Sequence, residues 1–210
     1  MTARILASLA RLLVAAASLL LVPAVDAGVP SATNSTIPTC LIAAPDNISL
    51  FAQFVIRDIA SNPIAGSTVA LDFSSCAAFA PCQQPCASCN VNLSRKTITG
   101  YTVAYGRVYF DLRLGGVCAN ERVQVTADGV LLGYLPFASL DQDGDRVVGP
   151  SDVARVQSLV GTTDTSADFD CNGVVDANDV AFVQQHVGAM CLVVDPVRRS
   201  TWGNLKTIYR

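Results

Sequence analysis

Two twelve-residue segments in the C-terminal third place oxygen-bearing side chains at the same four positions. Residues 141–152 read DQDGDRVVGPSD and residues 168–179 read DFDCNGVVDAND. Positions 1, 3, 5 and 12 are Asp or Asn in both, and position 7 would add a backbone carbonyl. Ca²⁺ prefers about six to eight oxygen ligands, which an EF-hand loop supplies at these positions. The predicted ligands are Asp141, Asp143, Asp145, Val147 and Asp152, then Asp168, Asp170, Asn172, Val174 and Asp179.

A helical pattern follows each segment directly and would hold its last ligand in place. A single acidic turn is usually a solvated surface turn. Two full-length matches 27 residues apart, each followed by a helix in the same phase, favour metal binding instead. The sequence therefore predicts two bound Ca²⁺ ions. The apolar residues spaced three to four apart are Val153, Val156, Leu159 and Val160 after the first segment, and Val180, Val183 and Val187 after the second.

The first 27 residues have the pattern of a secretory signal peptide. Arg4 and Arg11 precede an apolar run at residues 12–22, and Val25 and Ala27 are small residues at the −3 and −1 positions of a cleavage site. This run is shorter than the roughly twenty apolar residues that span a bilayer. We therefore expect a secreted or cell-surface protein with no transmembrane segment after cleavage.

The negative charge of the chain is concentrated in the two repeated segments. The chain has 14 basic and 17 acidic residues, and many of the acids belong to the segments at residues 141–152 and 168–179. The acidity is thus local and suits cation binding. No cluster of basic residues indicates a nucleic-acid partner.

Eight cysteines in an exported chain predict disulfides. Cys171 lies inside the second segment and Cys191 follows its helix, so we expect a Cys171–Cys191 bridge. The upstream cysteines leave their pairing open. Cys82, Cys86 and Cys89 have the C-x3-C-x2-C spacing that holds a radical-SAM iron–sulfur cluster, but that cluster requires a reducing compartment and a large barrel fold, and this chain has neither. Disulfides are therefore predicted for Cys40, Cys76, Cys82, Cys86, Cys89 and Cys118.

Residues 39–139 read as short strands separated by turns. Residues 67–73 and 108–114 alternate apolar and polar side chains at period two, and Asp128-Gly129 is a two-residue hairpin signal. About six or seven such strands predict an antiparallel β sandwich. The preceding residues 28–38 are rich in Ser, Thr, Asn and Pro, which predicts a disordered lead.

The segment IRDIASNPIAGSTVALDF, residues 56–73, resembles bacterial immunoglobulin-like domains, where a strand ends in a D…N-P-I-A-G turn. The resemblance implies an immunoglobulin-like sandwich. Acid–base side chains are scarce, because His186 is the single histidine and Glu121 the single glutamate. We therefore predict that the protein is not an enzyme.

The two loops, each followed by one helix and preceded by none, resemble a type I dockerin. The resemblance covers residues 140–193 and implies a small all-α module, calcium-dependent folding and a cohesin-like partner. Dockerins are known from extracellular polysaccharide-degrading assemblies. Position 6 departs from the pattern in the first loop, where Arg146 replaces the glycine present as Gly173 in the second. Position 11 differs between the loops, Ser151 against Asn178, so the partner stays unnamed.

The sequence thus predicts an immunoglobulin-like β sandwich at residues 39–139, a small all-α dockerin-like module at 140–193 and a tail at 194–210. The expected function is that of a secreted, non-catalytic calcium-binding protein that assembles with a cohesin-like partner. One alternative is a carbohydrate-binding accessory protein of a polysaccharide-degrading system. Another is a structural cell-surface protein that calcium stiffens. The tail carries an apolar helical stripe made of Trp202, Leu205, Ile208 and Tyr209.

Overall fold

Short β-strands dominate the structure, a computed structural model that describes residues 28–46, 50–83, 85–118 and 122–191. The predicted signal peptide and the tail at residues 194–210 lie outside this part. Its strands are β1 (Leu41–Ala43), β2 (Phe51–Val55), β3 (Thr68–Asp72), β4 (Ala80–Pro81), β5 (Asn90–Asn92), β6 (Thr97–Tyr101), β7 (Arg107–Asp111), β8 (Leu114–Gly115), β9 (Val123–Ala127), β10 (Val130–Leu135) and β11 (Phe137–Ser139). Its α-helices are α1 (Pro150–Ser158) and α2 (Ala177–Gln185).

The largest sheet has five strands in the order β10-β9-β3-β6-β5, with antiparallel neighbours throughout. Three two-stranded sheets accompany it: β2 with β7 and β4 with β8, both antiparallel, and β1 with β11, parallel. Side chains alternate along a strand, so Val69 and Leu71 of β3 are buried while their neighbours are partly exposed. The predicted richness in strands is confirmed, and these sheets are compatible with a β sandwich.

Four phenylalanines fill the centre of the main hydrophobic core. Phe54, Phe73, Phe110 and Phe137 are almost completely buried. The rings of Phe54 and Phe110 meet edge to face with centroids 5.5 Å apart, and those of Phe73 and Phe137 do so at 5.2 Å. Such edge-to-face contacts place the positive edge of one ring against the negative face of the next. The core therefore ties β2, β7 and β11 together.

The prediction of a separate all-α calcium module is wrong. Residues 140–191 contain two nine-residue helices joined by loops, and each helix buries a single apolar side chain, Val156 or Val183. These side chains share a hydrophobic cluster with Ala138 of β11 and with Leu140, the residue just after β11. Two such short apolar faces cannot form a core by themselves. The helices therefore pack on strand residues and form no all-α unit.

Two disulfides join residues 140–191, which contain the two repeated loops, to residues beside the strands. Cys40 pairs with Cys171 and Cys82 with Cys191, at Cα–Cα distances of 6.2 Å and 5.3 Å. The predicted Cys171–Cys191 bridge is therefore wrong. The reason is tertiary: both cysteines lie beside strands whose positions their own repeat does not reveal. The remaining pairs are Cys76–Cys118 and Cys86–Cys89.

Disulfide bonding itself is confirmed, because all eight cysteines are paired. Cysteines held in disulfides offer no thiolate for an iron–sulfur cluster. Four disulfides indicate an oxidising compartment. Among the described helices, neither is long and apolar enough to cross a membrane.

Residues 28–38 are ordered against β2, which differs from the disordered lead that their composition predicts. Thr36 and Val55 exchange two backbone hydrogen bonds of 2.8 and 2.9 Å, and the Ser31 N–H donates to the Arg57 carbonyl at 2.8 Å. Ile37 also packs against the main core. The polar segment gains its order from strand pairing, which composition does not report.

We expect a disulfide map to distinguish the pairing of Cys171 with Cys40, seen in the structure, from its pairing with Cys191, expected from the sequence. Replacing Cys171 with Ser should free the thiol of Cys40 and leave the Cys82–Cys191 bridge intact, because those sulfurs have separate partners. Thiol alkylation followed by non-reducing peptide mass mapping measures this. A free thiol at Cys191 in this variant would contradict the structure and restore the pairing expected from the sequence.

Candidate metal centre

The first residue of each loop organises the loop backbone. Asp141 accepts the N–H of Gly144 at one carboxylate oxygen (2.7 Å) and that of Arg146 at the other (2.8 Å). Asp168 likewise accepts the N–H of Gly173 at 2.8 Å. These bonds fold the chain around the carboxylate. Position 6 consequently adopts a left-handed backbone in both loops, with φ of 74° at Arg146 and 93° at Gly173.

The last residue of each loop closes the loop and begins the helix. Asp152 accepts the N–H of Gln142 at 2.6 Å and that of Gly149 at 2.7 Å, using different oxygens. Asp179 does the same with the residues at positions 2 and 9 of its loop, at 2.6 and 2.8 Å. An acidic side chain in the first helical turn also interacts favourably with the helix dipole. Position 12 thus joins the loop to the helix that follows.

Positions 3 and 5 are exposed to solvent and form local turns. The Asp145 carboxylate accepts the N–H of Val147 at 2.8 Å, and the side-chain oxygen of Asn172 accepts the N–H of Val174 at 2.9 Å. These bonds occupy the N–H of position 7 and leave its carbonyl oxygen as a possible ligand. The same pattern in both loops shows that the sequence repeat is also a structural repeat.

The loops bring most of the predicted carboxylates together. Asp141, Asp143 and Asp145 each offer an oxygen within 4.8 Å of the other two, and so do Asp168, Asp170 and Asp179. Asp152 is not part of the first triplet, whereas its counterpart Asp179 belongs to the second, although both accept backbone amides at the same loop positions. Each loop therefore contains a cluster of three carboxylates.

The two repeats pair with each other through four equivalent hydrogen bonds. The Gly161 N–H donates to the Val175 carbonyl at 2.8 Å, and Val175 returns its N–H to Thr162 at 2.9 Å. The residues 27 positions away repeat this in the other half: Gly188 donates to Val148, and Val148 to Ala189, both at 2.8 Å. Each helix end is thus held by the loop of the opposite repeat.

The first carboxylate of each loop is in an environment that opposes its charge. Burial raises the pKa of Asp141 to about 6, and the negative charges of Asp152 and Asp145 add to this effect. Burial also raises the pKa of Asp168, with a contribution from Asp179. Backbone N–H donors offset the shift in both loops. Like charges gathered in a partly buried site are stabilised by a cation placed among them.

The first loop is supported directly by residues at the end of β8 and in β11. The Gly116 N–H donates to the Asp141 carbonyl at 2.8 Å, and the Ser139 hydroxyl bonds to the carbonyls of Leu114 and Asp141, both at 3.1 Å. A Cβ atom added at Gly115 would overlap a carboxylate oxygen of Asp141. The position of the first predicted ligand therefore depends on a glycine in a strand 26 residues upstream.

Sequence reasoning missed Gln142, which connects the two repeats. This side chain is completely buried, and its amide donates to the carbonyls of Ser139 and Ser166. Ser166 lies just before the second loop. A glutamine at position 2 of an acidic segment looks like a solvated residue, so no signal in the sequence marked it. Gly115 was equally unmarked, because its role depends on tertiary contact.

No protein-family model matches this chain, and neither a curated protein nor a solved structure matches it.

We expect Gly115→Ala to disturb the first loop. The added methyl group must displace the Asp141 carboxylate, and overpacking of this kind costs about 1–3 kcal/mol in the free energy of unfolding. Urea unfolding under non-reducing conditions measures the change.

The matched control is Gly149→Ala, in the same loop, where an added Cβ would meet its nearest atom at 3.7 Å. If both variants lose the same stability, the contact between Gly115 and Asp141 does not position the loop.

Proposed function

We propose that the two loops bind Ca²⁺, one ion in each. The observation that carries this proposal is the convergence of three carboxylate oxygens in each loop, within 4.8 Å of one another. The donors are all hard oxygens, which suit Ca²⁺ and not the metals that prefer thiolate or imidazole. The proposed ligand sets are Asp141, Asp143, Asp145, Asp152 and the Val147 carbonyl, and Asp168, Asp170, Asn172, Asp179 and the Val174 carbonyl.

The backbone geometry supports calcium further. Carboxylates at position 1 accept two amides from their own loop, so the chain already wraps around the place where an ion would be bound. A bound cation would offset the burial and mutual repulsion that raise the pKa values of Asp141 and Asp168. An ion that binds only the folded chain stabilises it, by about 2.7 kcal/mol when its concentration is a hundred times the Kd.

The two helices offer a surface for a protein partner. Ser151 and Arg155 on α1, and Asn178 and Gln184 on α2, are exposed, whereas the opposite helix face is buried. The duplicated loop-and-helix pattern resembles type I dockerins, which supports a cohesin-like partner. We propose that this chain is a secreted, non-catalytic protein that assembles with such a partner, in an extracellular polysaccharide-degrading system or a similar one.

Glycan binding by the five-stranded sheet is the second candidate function. Tyr101 and Tyr134 point away from the core and are 56% and 51% exposed. Thr99 and Gln124 lie on the same outer face, because each is a partly exposed residue between two buried residues of its strand. Exposed aromatic rings with amide and hydroxyl neighbours suit sugars, which present apolar faces and hydroxyl groups. Binding on a glycan array that is lost in Tyr101→Ala would favour this candidate.

Calorimetry on the full chain should show two calcium ions per molecule. Asp168→Asn should reduce this number to one, because the substitution removes the charged first ligand of the second loop. Asp128→Asn is the matched control: Asp128 lies in the β9–β10 hairpin, and Asn tolerates its positive φ of 47°. A wild-type chain that binds no calcium would refute the proposal.

Binding to a panel of cohesin domains should require calcium and the helix surface. Asn178→Asp and Ser151→Asp, combined, should weaken binding by about tenfold, or about 1.4 kcal/mol, since a charge brought into a protein interface must lose its hydration. Biolayer interferometry with and without chelator measures this. Thr163→Asp, an exposed change outside the helices, serves as the control. Equal binding by all three proteins would contradict the proposed surface.

A further inference from the structure

An open groove of about 600 Å³ lies between the strands and the first calcium loop. Its lining includes the apolar residues Phe79, Val91 and Leu93 and the cationic residues Lys96 and Arg146. A volume of this size is within the range of ligand-binding clefts. The groove is distinct from the carboxylate clusters and from the exposed face of the two helices. It is therefore a separate candidate site.

The groove combines apolar walls with positive charge. Lys96 and Arg146 are the charged residues among those that line it, and none of the lining residues is acidic. The Lys96 ammonium donates one hydrogen bond, to the Cys76 carbonyl at 2.9 Å, and an ammonium has three donors. Leu93 leaves 65% of its surface exposed beside these cations. An occupant with apolar side chains and a carboxylate would complement this surface.

The groove lining also includes a residue of β5, a strand at the end of the five-stranded sheet. Within the described residues, β5 is the last strand of the five-stranded sheet and pairs on one side only, with β6. Val91 of β5 and Leu93, just beyond it, are both part of the groove wall. An unpaired strand edge presents backbone N–H and C=O groups to an extended chain. This favours a peptide over a small apolar acid, which cannot pair with a strand.

We propose that this groove binds an extended, acidic peptide segment of a partner protein. The segment pairs its backbone with the edge of β5 and places apolar side chains against Phe79, Val91 and Leu93. Its carboxylate lies between Lys96 and Arg146. Part of the wall comes from Cys82 and Cys191, whose disulfide fixes the calcium-loop region beside the strands. The groove is therefore held in shape by a covalent bond before any peptide binds.

Fluorescence polarisation with labelled peptides tests this assignment. The probes are three heptapeptides of alternating Val and Thr whose central residue is Asp, Asn or Lys. We expect saturable binding of the Asp peptide and at least about tenfold weaker binding of the Lys peptide, because the charge contact reverses its sign. A peptide N-methylated at alternate residues should also bind more weakly, because it cannot pair fully with β5.

Variants of the groove give the second readout. Lys96→Gln should weaken the Asp peptide by about fivefold, the upper value for an exposed ion pair. Arg95→Gln is the matched control, since Arg95 is exposed next to Lys96 but does not line the groove. Arg146→Gln should weaken the Asp peptide as well, and it is compared with the wild-type protein at the same measured calcium content, whatever that content is, which separates loss of the groove from a change in the loop.

Several results would overturn the assignment. These are no saturable binding of any peptide, equal binding of the Asp and Lys peptides, or an unchanged affinity in Lys96→Gln. Binding of decanoate without binding of any peptide would assign the groove to a small amphiphilic acid instead. None of these outcomes depends on whether the loops bind calcium, so the groove and the metal proposal fail or succeed separately.

Discussion

The buried carboxylate of Asp141 is the constraint on which the C-terminal half of the molecule depends. Its side chain organises the first loop, while its backbone carbonyl is held by Gly116 and Ser139 from the strands. A carboxylate in this position is costly to keep charged, as its raised pKa shows. It is tolerated because the N–H groups of Gly144 and Arg146 each donate to one of its oxygens. The strands and the loops therefore meet at a charged group.

The two repeats reach similar local geometry by different tertiary means. The backbone of the first loop is hydrogen-bonded to Gly116, just after β8. The second loop is instead attached to the residue before β1 through the disulfide between Cys40 and Cys171. Cys171 has a positive φ of 59°, and Gly144 at the equivalent position has 80°. A side chain at this position is strained without a compensating interaction. A cross-link supplies one in the second loop, and glycine removes the need in the first.

Local patterns in the sequence predicted that carboxylates converge in each loop, because short-range spacing determines which of these side chains meet. The hydrogen bonds of the second loop, residues 168–179, join residues that are at most ten positions apart. Helix α2 begins directly after Asp176. Strand alternation was equally readable, as in β3 and β7. The predicted autonomy of the helices failed because one buried valine per helix does not reveal that its partners are Ala138 and Leu140.

Contacts between distant parts of the chain could not be predicted in the same way. The support that Gly115 gives to Asp141 has no counterpart in any motif, since many sequences place glycine at the end of a strand. The one disulfide pairing that was predicted, Cys171–Cys191, was wrong for the same reason. Proximity in the sequence favoured Cys191 for Cys171, but the strand arrangement brings Cys40 closer. In this chain the repeated acidic segments could be recognised from the sequence, whereas the residues that contact them could be found only from the arrangement of the strands.

The separation between Cys40 and Cys171 also determines the order in which the chain can mature. These cysteines are 131 residues apart, so the bond between them cannot form until the chain as far as Cys171 has emerged into an oxidising compartment. Until then the thiol of Cys40 lacks its native partner, and Cys76 and Cys82 are nearer competitors. Early mispairing must be reversed by thiol–disulfide exchange. Efficient biogenesis of this chain should therefore rely on a disulfide isomerase, and not on an oxidase alone.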